Sequence, residues 1–245
     1  MCFYQDKLFM FPLFNFNQWN FDQHVADVFP DMINRSVPGY SLINSMIGKF
    51  SQYFITSNTS IYDLGCSYGH ITSSIVNNIK ATDCTIIAVD NSPYMIAHCK
   101  QNLHKVITDN NNDIKIIESH ICDIPIINAS LAVLNFTLQF LSIIERQKIL
   151  KSIYRGLKTG GALILSEKFY FNDPEISKLL VKMHQNFKLE NGYSWLEINQ
   201  KSKILKNILR IETIENYKKI LFYIGFQHVE LWFQYLNFGS LIAIK

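Results

Sequence analysis

Arginine is scarce in this chain of 245 residues: only Arg35, Arg146, Arg155 and Arg210 are present. Lysine and arginine together number 23 against 20 acidic residues, a formal net charge of +3. So small an excess offers no concentrated basic face for a phosphate backbone, so direct nucleic-acid binding is not expected, while a local anion pocket stays open. Long apolar runs are also missing, and nothing approaches the ~20 residues that cross a bilayer, so no membrane association is expected. The apolar start, MCFYQDKLFMFPLFNF, is interrupted by Asp6 and Lys7 and broken by Pro12. It lacks a basic segment followed by a small-residue cleavage site, so it does not read as a secretory signal. The cysteines (2, 66, 84, 99 and 122) are odd in number and form no CxxC, which points to reduced thiols in a cytoplasmic protein. The seven histidines form no HxxxH and have no cysteine at ligand spacing, so no metal is expected. Linkers, repeats and low-complexity tracts are absent; the run from Asp109 to Asp113 reads as a polar turn. What is present is a hydrophobic fraction of 48% with 18% charged residues, enough for a sizeable core in a single domain.

Short apolar runs alternate with longer amphipathic ones. Residues 60–64, 84–89, 113–118, 131–136 and 162–166 read as strands, and 69–80, 92–106 and 144–157 as helices. That alternation implies right-handed crossovers and a parallel sheet covered by helices on both faces. The near-continuous apolar character of the strands fits burial on both sides. Gly160-Gly161 reads as the turn into the fifth strand. Residues 227–235 and 238–244 form two more strands, and a link as short as Leu236-Asn237 makes them antiparallel. Residues 1–55 and 172–224 read as helical caps on a single domain spanning 1–245. A dinucleotide-binding Rossmann domain would carry a sixth parallel strand in place of that hairpin.

The chemistry gathers where strands end. Asp63-Leu64-Gly65-Cys66-Ser67-Tyr68-Gly69 is a strand, a tight turn and a helix start. Glycine lets a ligand approach the backbone, and the helix start offers free N–H groups; an ordinary βα turn would look the same. Asp90 closes the second strand, where a carboxylate can accept from both hydroxyls of a ribose. The competing reading is a helix cap, a task open to Asn91 or Ser92 as well. The 25 positions from Gly65 to Asp90 lie close to the ~20 of a nucleoside site. A dinucleotide would want glycine at Ser67 and near Ile71, so a nucleoside without a diphosphate, such as S-adenosylmethionine, fits better.

The Asp63–Gly69 turn, Asp90 and the closing hairpin resemble a class I S-adenosylmethionine-dependent methyltransferase. Longer segments narrow the likeness. They include Phe29-Pro30-Asp31-Met32-Ile33, Arg35-Ser36-Val37-Pro38-Gly39-Tyr40, Asp90-Asn91-Ser92-Pro93, Leu134-Asn135-Phe136-Thr137-Leu138-Gln139-Phe140-Leu141, Leu165-Ser166-Glu167-Lys168-Phe169, Asn191-Gly192-Tyr193-Ser194 and Leu231-Trp232-Phe233-Gln234. From about Phe21 onward the chain is similar to the carboxy-S-adenosyl-L-methionine synthase family. The resemblance implies a Rossmann-like fold with a seven-stranded, mostly parallel sheet, an antiparallel C-terminal hairpin and helical caps. It implies that S-adenosylmethionine and prephenate are converted to carboxy-S-adenosylmethionine and phenylpyruvate. It also implies a cytoplasmic homodimer, with residues 172–224 as its dimer segment, and delivery of the product to an enzyme that modifies wobble uridine in tRNA. Cofactor contacts would be Tyr40, Gly65, Cys66, Ser67, Asp90, Asn91, His120, Ile121 and Asn135, with no nucleophile and no metal.

Two residues depart from the family pattern. His120 stands where relatives carry an acidic side chain for the adenine amino group, and Asp123 is a nearby substitute. Ser202 stands where relatives carry an arginine that grips the added carboxylate across the dimer interface, and a hydroxyl supplies neither its charge nor its fork. Lys201 and Lys203 flank Ser202. Helical spacing turns them to different sides, so one of them is expected to face the ligand, Lys203 first in line. Arg35, Lys168 and Arg210 are the reserve cations. An ordinary small-molecule methyltransferase and a non-catalytic nucleoside-binding protein are the other readings open to the sequence.

Overall fold

The computed structural model describes residues 4–11, 19–108 and 112–245; Cys2, Pro12 and the first three residues of the turn expected at 109–113 lie outside them. Five strands run parallel: β1 (Ser60–Leu64), β2 (Thr85–Asp90), β3 (Asp113–Glu118), β4 (Ala129–Asn135) and β5 (Leu157–Lys168). The hairpin β6 (His228–Tyr235) and β7 (Phe238–Ile244) adds two antiparallel strands, and the order is β3-β2-β1-β4-β5-β7-β6. Between the strands lie α3 (His70–Val76), α4 (Pro93–Thr108) and α5 (Ile143–Gly156). Two helices, α1 (Gln23–Ser36) and α2 (Tyr40–Phe54), precede the sheet, and α6 (Pro174–Glu190), α7 (Trp195–Lys206) and α8 (Ile214–Ile224) fill the span between β5 and β6.

Each face of the sheet has its own core, as the unbroken apolar strands require. Tyr62, Leu134 and Leu163 meet Leu150 and Ile153 of α5 and Leu221 of α8 on one side. Ile61, Val133 and Ile164 meet Ile43 and Ile47 of α2 and Ile75 of α3 on the other. Helix starts follow local capping rules. Asp22 accepts from the Val25 amide, and Ser142–Glu145 and Ser194–Glu197 form reciprocal capping boxes.

Two sequence expectations change. Residues 4–11 and 19–22 are irregular rather than helical, and helix begins only where Asp22 can cap it. Gly160-Gly161 does not turn the chain into a new strand. It sits inside the longer β5, where the register jumps from Ala129↔Leu157 to Leu131↔Ala162. Gly160 takes φ 78°, which glycine adopts without strain, so the extra residues bulge out and the strand resumes.

The C-terminal tips of β1, β2, β4 and β5 bring Leu64, Asp90, Asn135 and Lys168 to one edge. Strand order reverses between β1 and β4, and open α/β sheets bind ligands at such a switch point. Beside that edge, Glu167 is fully buried, its carboxyl near the Leu138 and Gln139 amides but without a well-formed hydrogen bond among the described residues. Burial raises its pKa from 4.5 to about 8, against a smaller pull from Arg146. The folded state therefore holds this proton while the unfolded chain releases it above pH 4.5, so stability falls as pH rises from 4.5 through about 8. Glu167→Gln should remove that dependence. Thermal melts should show little difference near pH 5 and a gain on the order of 3 kcal/mol by pH 8.5. A gain equal at both pH values would mean that Glu167 does not titrate in this range.

Candidate functional site

The turn after β1 is held open by backbone geometry. The Gly65 and Cys66 amides both donate to the Val89 carbonyl (2.8 and 2.9 Å), which ties the turn to the end of β2. Gly65 has φ 87°, Ser67 φ 47° and Gly69 φ 76°, so three of five consecutive residues are left-handed. Ser67 holds this costly conformation because its amide donates to Asp90 Oδ2 at 3.0 Å. A side chain at 65 would overlap Thr137, which follows the tip of β4. Glycine here therefore permits close approach of the β4 loop, and bulk at 65 would harm the fold as well as any ligand path.

Two carboxylates organise the turn from below. Asp63, buried in β1, accepts from the Thr72 amide (3.1 Å) and hydroxyl (2.7 Å) and so anchors the first turn of α3. Burial raises its pKa to about 6 in spite of those bonds. Asp90 accepts from Ser67 with one oxygen and from Ser92 (2.9 Å) with the other. Burial raises its pKa, and the Ser92, Ser67 and Asn91 amides oppose the rise. Ser92 Oγ itself accepts from the Met95 amide at 3.2 Å. The cap of α4 is thus the serine, and the Asp90 carboxylate keeps lone pairs for an outside donor. Asn91 is exposed beside it.

Across the crevice, Tyr40 opens α2 behind Gly39, which takes φ 75°. Its hydroxyl lies 3.4 Å from His70 Nδ1, and burial pushes its pKa up to about 12. Asn135 donates to Asn44 Oδ1 at 3.1 Å, while its own Oδ1 is buried with no partner among the described residues. An unmet buried acceptor costs about 1–3 kcal/mol, so an orphan at the switch point marks a place for a donor that the chain does not supply. Such a donor is available in the amino group of an amino acid or nucleoside.

A cysteine at a helix start ordinarily has a lowered thiol pKa. The structure reverses this: the Cys99 sulfur 4.0 Å away and burial push it well above its ordinary value, so the thiol is inert. His120 is committed locally. Its Nδ1 accepts from the Cys122 amide at 3.3 Å, and its Nε2 lies 3.5 Å from Glu145 Oε1, so the free proton belongs on Nε2. The side chain has no spare acceptor for an adenine amino group. Asp123 does not replace it, being drawn outward to Lys148 at 3.5 Å on an exposed surface. Ile121 is buried in the core under the same turn.

The three-residue segment on α7 resolves clearly. Lys201 points inward, 3.2 Å from Ser36 Oγ and 3.7 Å from Asp6 Oδ2, whereas Ser202 and Lys203 are exposed. Lys203 is therefore not the inward cation; the i, i+2 offset was read correctly but assigned to the wrong side. Of the reserve cations, Arg210 is exposed, and Arg35 is tied to Asp31 at 2.9 Å and lies over the Tyr193 ring. Lys168 faces the crevice side, its Nζ 5.6 Å from the Phe238 ring centre. Residues that sequence reasoning passed over also belong here. Asn44, Thr137 and His70 join the expected contacts to one another, and His184 and Lys188 of α6 stand beside Lys168. Among the described residues no group of three or more His, Cys, Asp or Glu is placed to hold a metal, and no helix is long and apolar enough to cross a membrane.

The sheet order, the glycine turn under an acidic β2 tip, and the crevice at the β1/β4 switch define a class I methyltransferase fold. A methyltransferase-domain family model matches residues 61–161. Solved structures agree on the fold. A S-adenosylmethionine-dependent methyltransferase of Methanococcus maripaludis aligns with a TM-score of 0.61 at 22% identity, over 94% of this chain and 96% of that one. Human N-acetylserotonin methyltransferase in complex with S-adenosylmethionine aligns with a TM-score of 0.59 at 17% identity, over 91% of this chain and 55% of that one.

Sequence relatives are far more specific. The carboxy-S-adenosyl-L-methionine synthase of Erwinia tasmaniensis is 53% identical over 241 residues, 98% of this chain and 97% of that protein. That of Citrobacter koseri is 52% identical over 244 residues, 99% and 97% of the two chains. The chain belongs to the carboxy-S-adenosyl-L-methionine synthase family, and it is an enzyme of the transferase type.

Proposed function

We propose that this enzyme makes carboxy-S-adenosylmethionine from S-adenosylmethionine and prephenate, releasing phenylpyruvate. The observation that carries the reading is identity above 50% along nearly the whole chain to proteins named for that product. In the reaction the hydroxide leaving the prephenate ring takes a proton from the sulfonium methyl, whose carbon captures the carbon dioxide shed by the same ring. Phenylpyruvate, water and the carboxylated nucleoside then balance the two substrates.

The chain's part is positioning and charge. Asp90 would accept from the ribose hydroxyls with the lone pairs that Ser67 and Ser92 leave free. The turn 65–67 would lie along the nucleoside, and Asn135 Oδ1 would take a donor from it. Tyr40 closes the opposite wall. With His120 committed to Cys122 and Glu145, the adenine edge would meet backbone near Ile121 instead. No side chain need act as nucleophile, which agrees with the buried, raised Cys66 thiol. A homodimer in the cytoplasm, passing its product to a tRNA-modifying enzyme, completes the proposal.

Incubation of the protein with both substrates, followed by mass spectrometry of the nucleosides, tests it. A carboxylated adduct with stoichiometric phenylpyruvate is expected. Methyl transfer to an added acceptor without loss of prephenate would make it an ordinary methyltransferase. Binding without turnover would make it a nucleoside-binding protein.

A further inference from the structure

We propose that Lys168, Lys188 and Lys201 form an anion site on the acceptor side of the crevice, built to hold the carboxylates of a small organic dianion. The inference rests on the reaction proposed above and names the side chains that take its second substrate.

The three lysines converge from separate elements: the tip of β5, the last turns of α6 and the middle of α7. Lys188 and Lys201 are each 8% exposed, and Lys168 is half-buried. Ammonium groups that deep are ordinarily paired. Here the pairing is incomplete. Asp6 lies 3.7 Å from Lys201 but already accepts from the Tyr193 hydroxyl at 2.5 Å. Among the described residues no carboxylate and no hydrogen-bond acceptor is within reach of the Lys168 or Lys188 ammonium.

The nearby negative charge lies on the Lys201 side, in Asp6 and Asp31, and Asp31 is already paired with Arg35. His184, one turn before Lys188, has its Nε2 2.8 Å from the Ser36 carbonyl, to which it donates, and stacks edge-on against Phe238. Burial and the three lysines hold it neutral, with a pKa near 2. Arg35 is consumed by Asp31, the Asp6 carbonyl and the Asn191 carbonyl. Burial first, then Lys168 and Lys201, bring Lys188 down to about 7, and burial brings Lys201 to about 8. The chain thus maintains unbalanced positive charge at a cost that a bound dianion would offset.

The cluster adjoins the nucleoside wall. Phe238 touches both Lys168 and His184, and the ring contacts run on through Phe136 (6.1 Å) to Tyr40 (6.3 Å). Lysines act as point charges and need no fork geometry, so three of them can serve two carboxylates.

The test uses the full chain saturated with S-adenosylhomocysteine, which lacks the reactive methyl, titrated calorimetrically with prephenate and with the mono-anion phenylpyruvate. Wild type should bind prephenate at least tenfold more tightly than phenylpyruvate. Lys168→Met and Lys188→Met should each weaken prephenate at least tenfold while changing S-adenosylhomocysteine affinity less than twofold. Lys203→Ala, on the exposed side, should change neither. Melting temperatures of Lys168→Met and Lys188→Met should hold or rise, since each removes an unpaired buried charge; a structural role would lower them. Unchanged prephenate affinity in both lysine variants overturns the proposal. So does a loss confined to S-adenosylhomocysteine, which would give the cluster to the nucleoside's own carboxylate. The two readings fail separately. Lysine-dependent prephenate binding without carboxylated product sinks the reaction alone, and product formation with lysine-independent prephenate affinity sinks the site alone.

Discussion

Asp90→Ala should weaken S-adenosylmethionine binding by two orders of magnitude or more. The carboxylate does two tasks at once. It accepts from Ser67 and Ser92, which holds a non-glycine residue left-handed at φ 47°, and in the proposed complex it accepts from the ribose. Hydrogen bonds to a charged group are worth about 1.5–3 kcal/mol each, so losing two from the ligand weakens binding at least about a hundredfold. Releasing the Ser67 turn adds to this by letting the nucleoside wall relax. Asp90→Asn should lose less, because its carbonyl still serves one amide. Calorimetry measures the affinities, and the rise in melting temperature on adding ligand gives an independent reading. If Asp90→Ala binds as tightly as wild type, the nucleoside lies elsewhere than at the β2 tip.

Gly156→Ala should prevent stable folding. Gly156 ends α5 against the loop before β4, and a Cβ there would overlap the carbonyl oxygen and carbon of Ile126. Both are backbone, so no side chain can swing away. Overpacking commonly costs about 1–3 kcal/mol even when side chains can adjust, and more is expected here. Gly160→Ala provides the contrast. Nothing lies within 4 Å of its Cβ position, so only the left-handed strain at φ 78° applies, roughly 1–2 kcal/mol. Denaturant titration of both should show Gly160→Ala folded with a modest loss and Gly156→Ala unfolded or nearly so. Equal losses would mean that the α5 end moves freely against the Ile126 loop.

The sheet was legible in the sequence because burial on both faces writes itself as unbroken apolar runs. Asp113–Glu118 and Phe238–Ile244 match their strands end to end, and Leu236-Asn237 alone dictated the antiparallel hairpin. The turn from Gly65 to Ser67 and the carboxylate at Asp90 were legible as a pair, since spacing carries that information. His120 was not. Its fate depends on the Cys122 amide and on Glu145, a residue 25 positions later whose own place is fixed by the Ser142 capping box. The lysine cluster was legible only in part: Lys168 and Lys201 stood among the candidate cations, but nothing in the sequence joined them to each other or to Lys188. Lys188 and Lys201 sit among surface-looking lysines, and only the packing of α6 and α7 near the end of α1 turns these two inward. Helical spacing showed that Lys201 and Lys203 diverge, but a spacing rule has no sign.

The placement of β7 between β5 and β6 bears on the order in which the molecule assembles. Its pairing with β5 joins Ala162 to Ile244 and closes a loop that contains all of α6, α7 and α8. Contacts so distant along the chain form late, because closing a long loop costs entropy before it gains contacts. Until then β5 is an open edge presenting Leu163 and Leu165, a surface prone to mispairing with other chains. A chain arrested at that stage would have its nucleoside turn and no acceptor wall, since Lys188 and Lys201 are carried in the unclosed loop. Recognition of the nucleoside and recognition of the anion thus mature at different moments, and the last strand to join the sheet determines when the two become a single site.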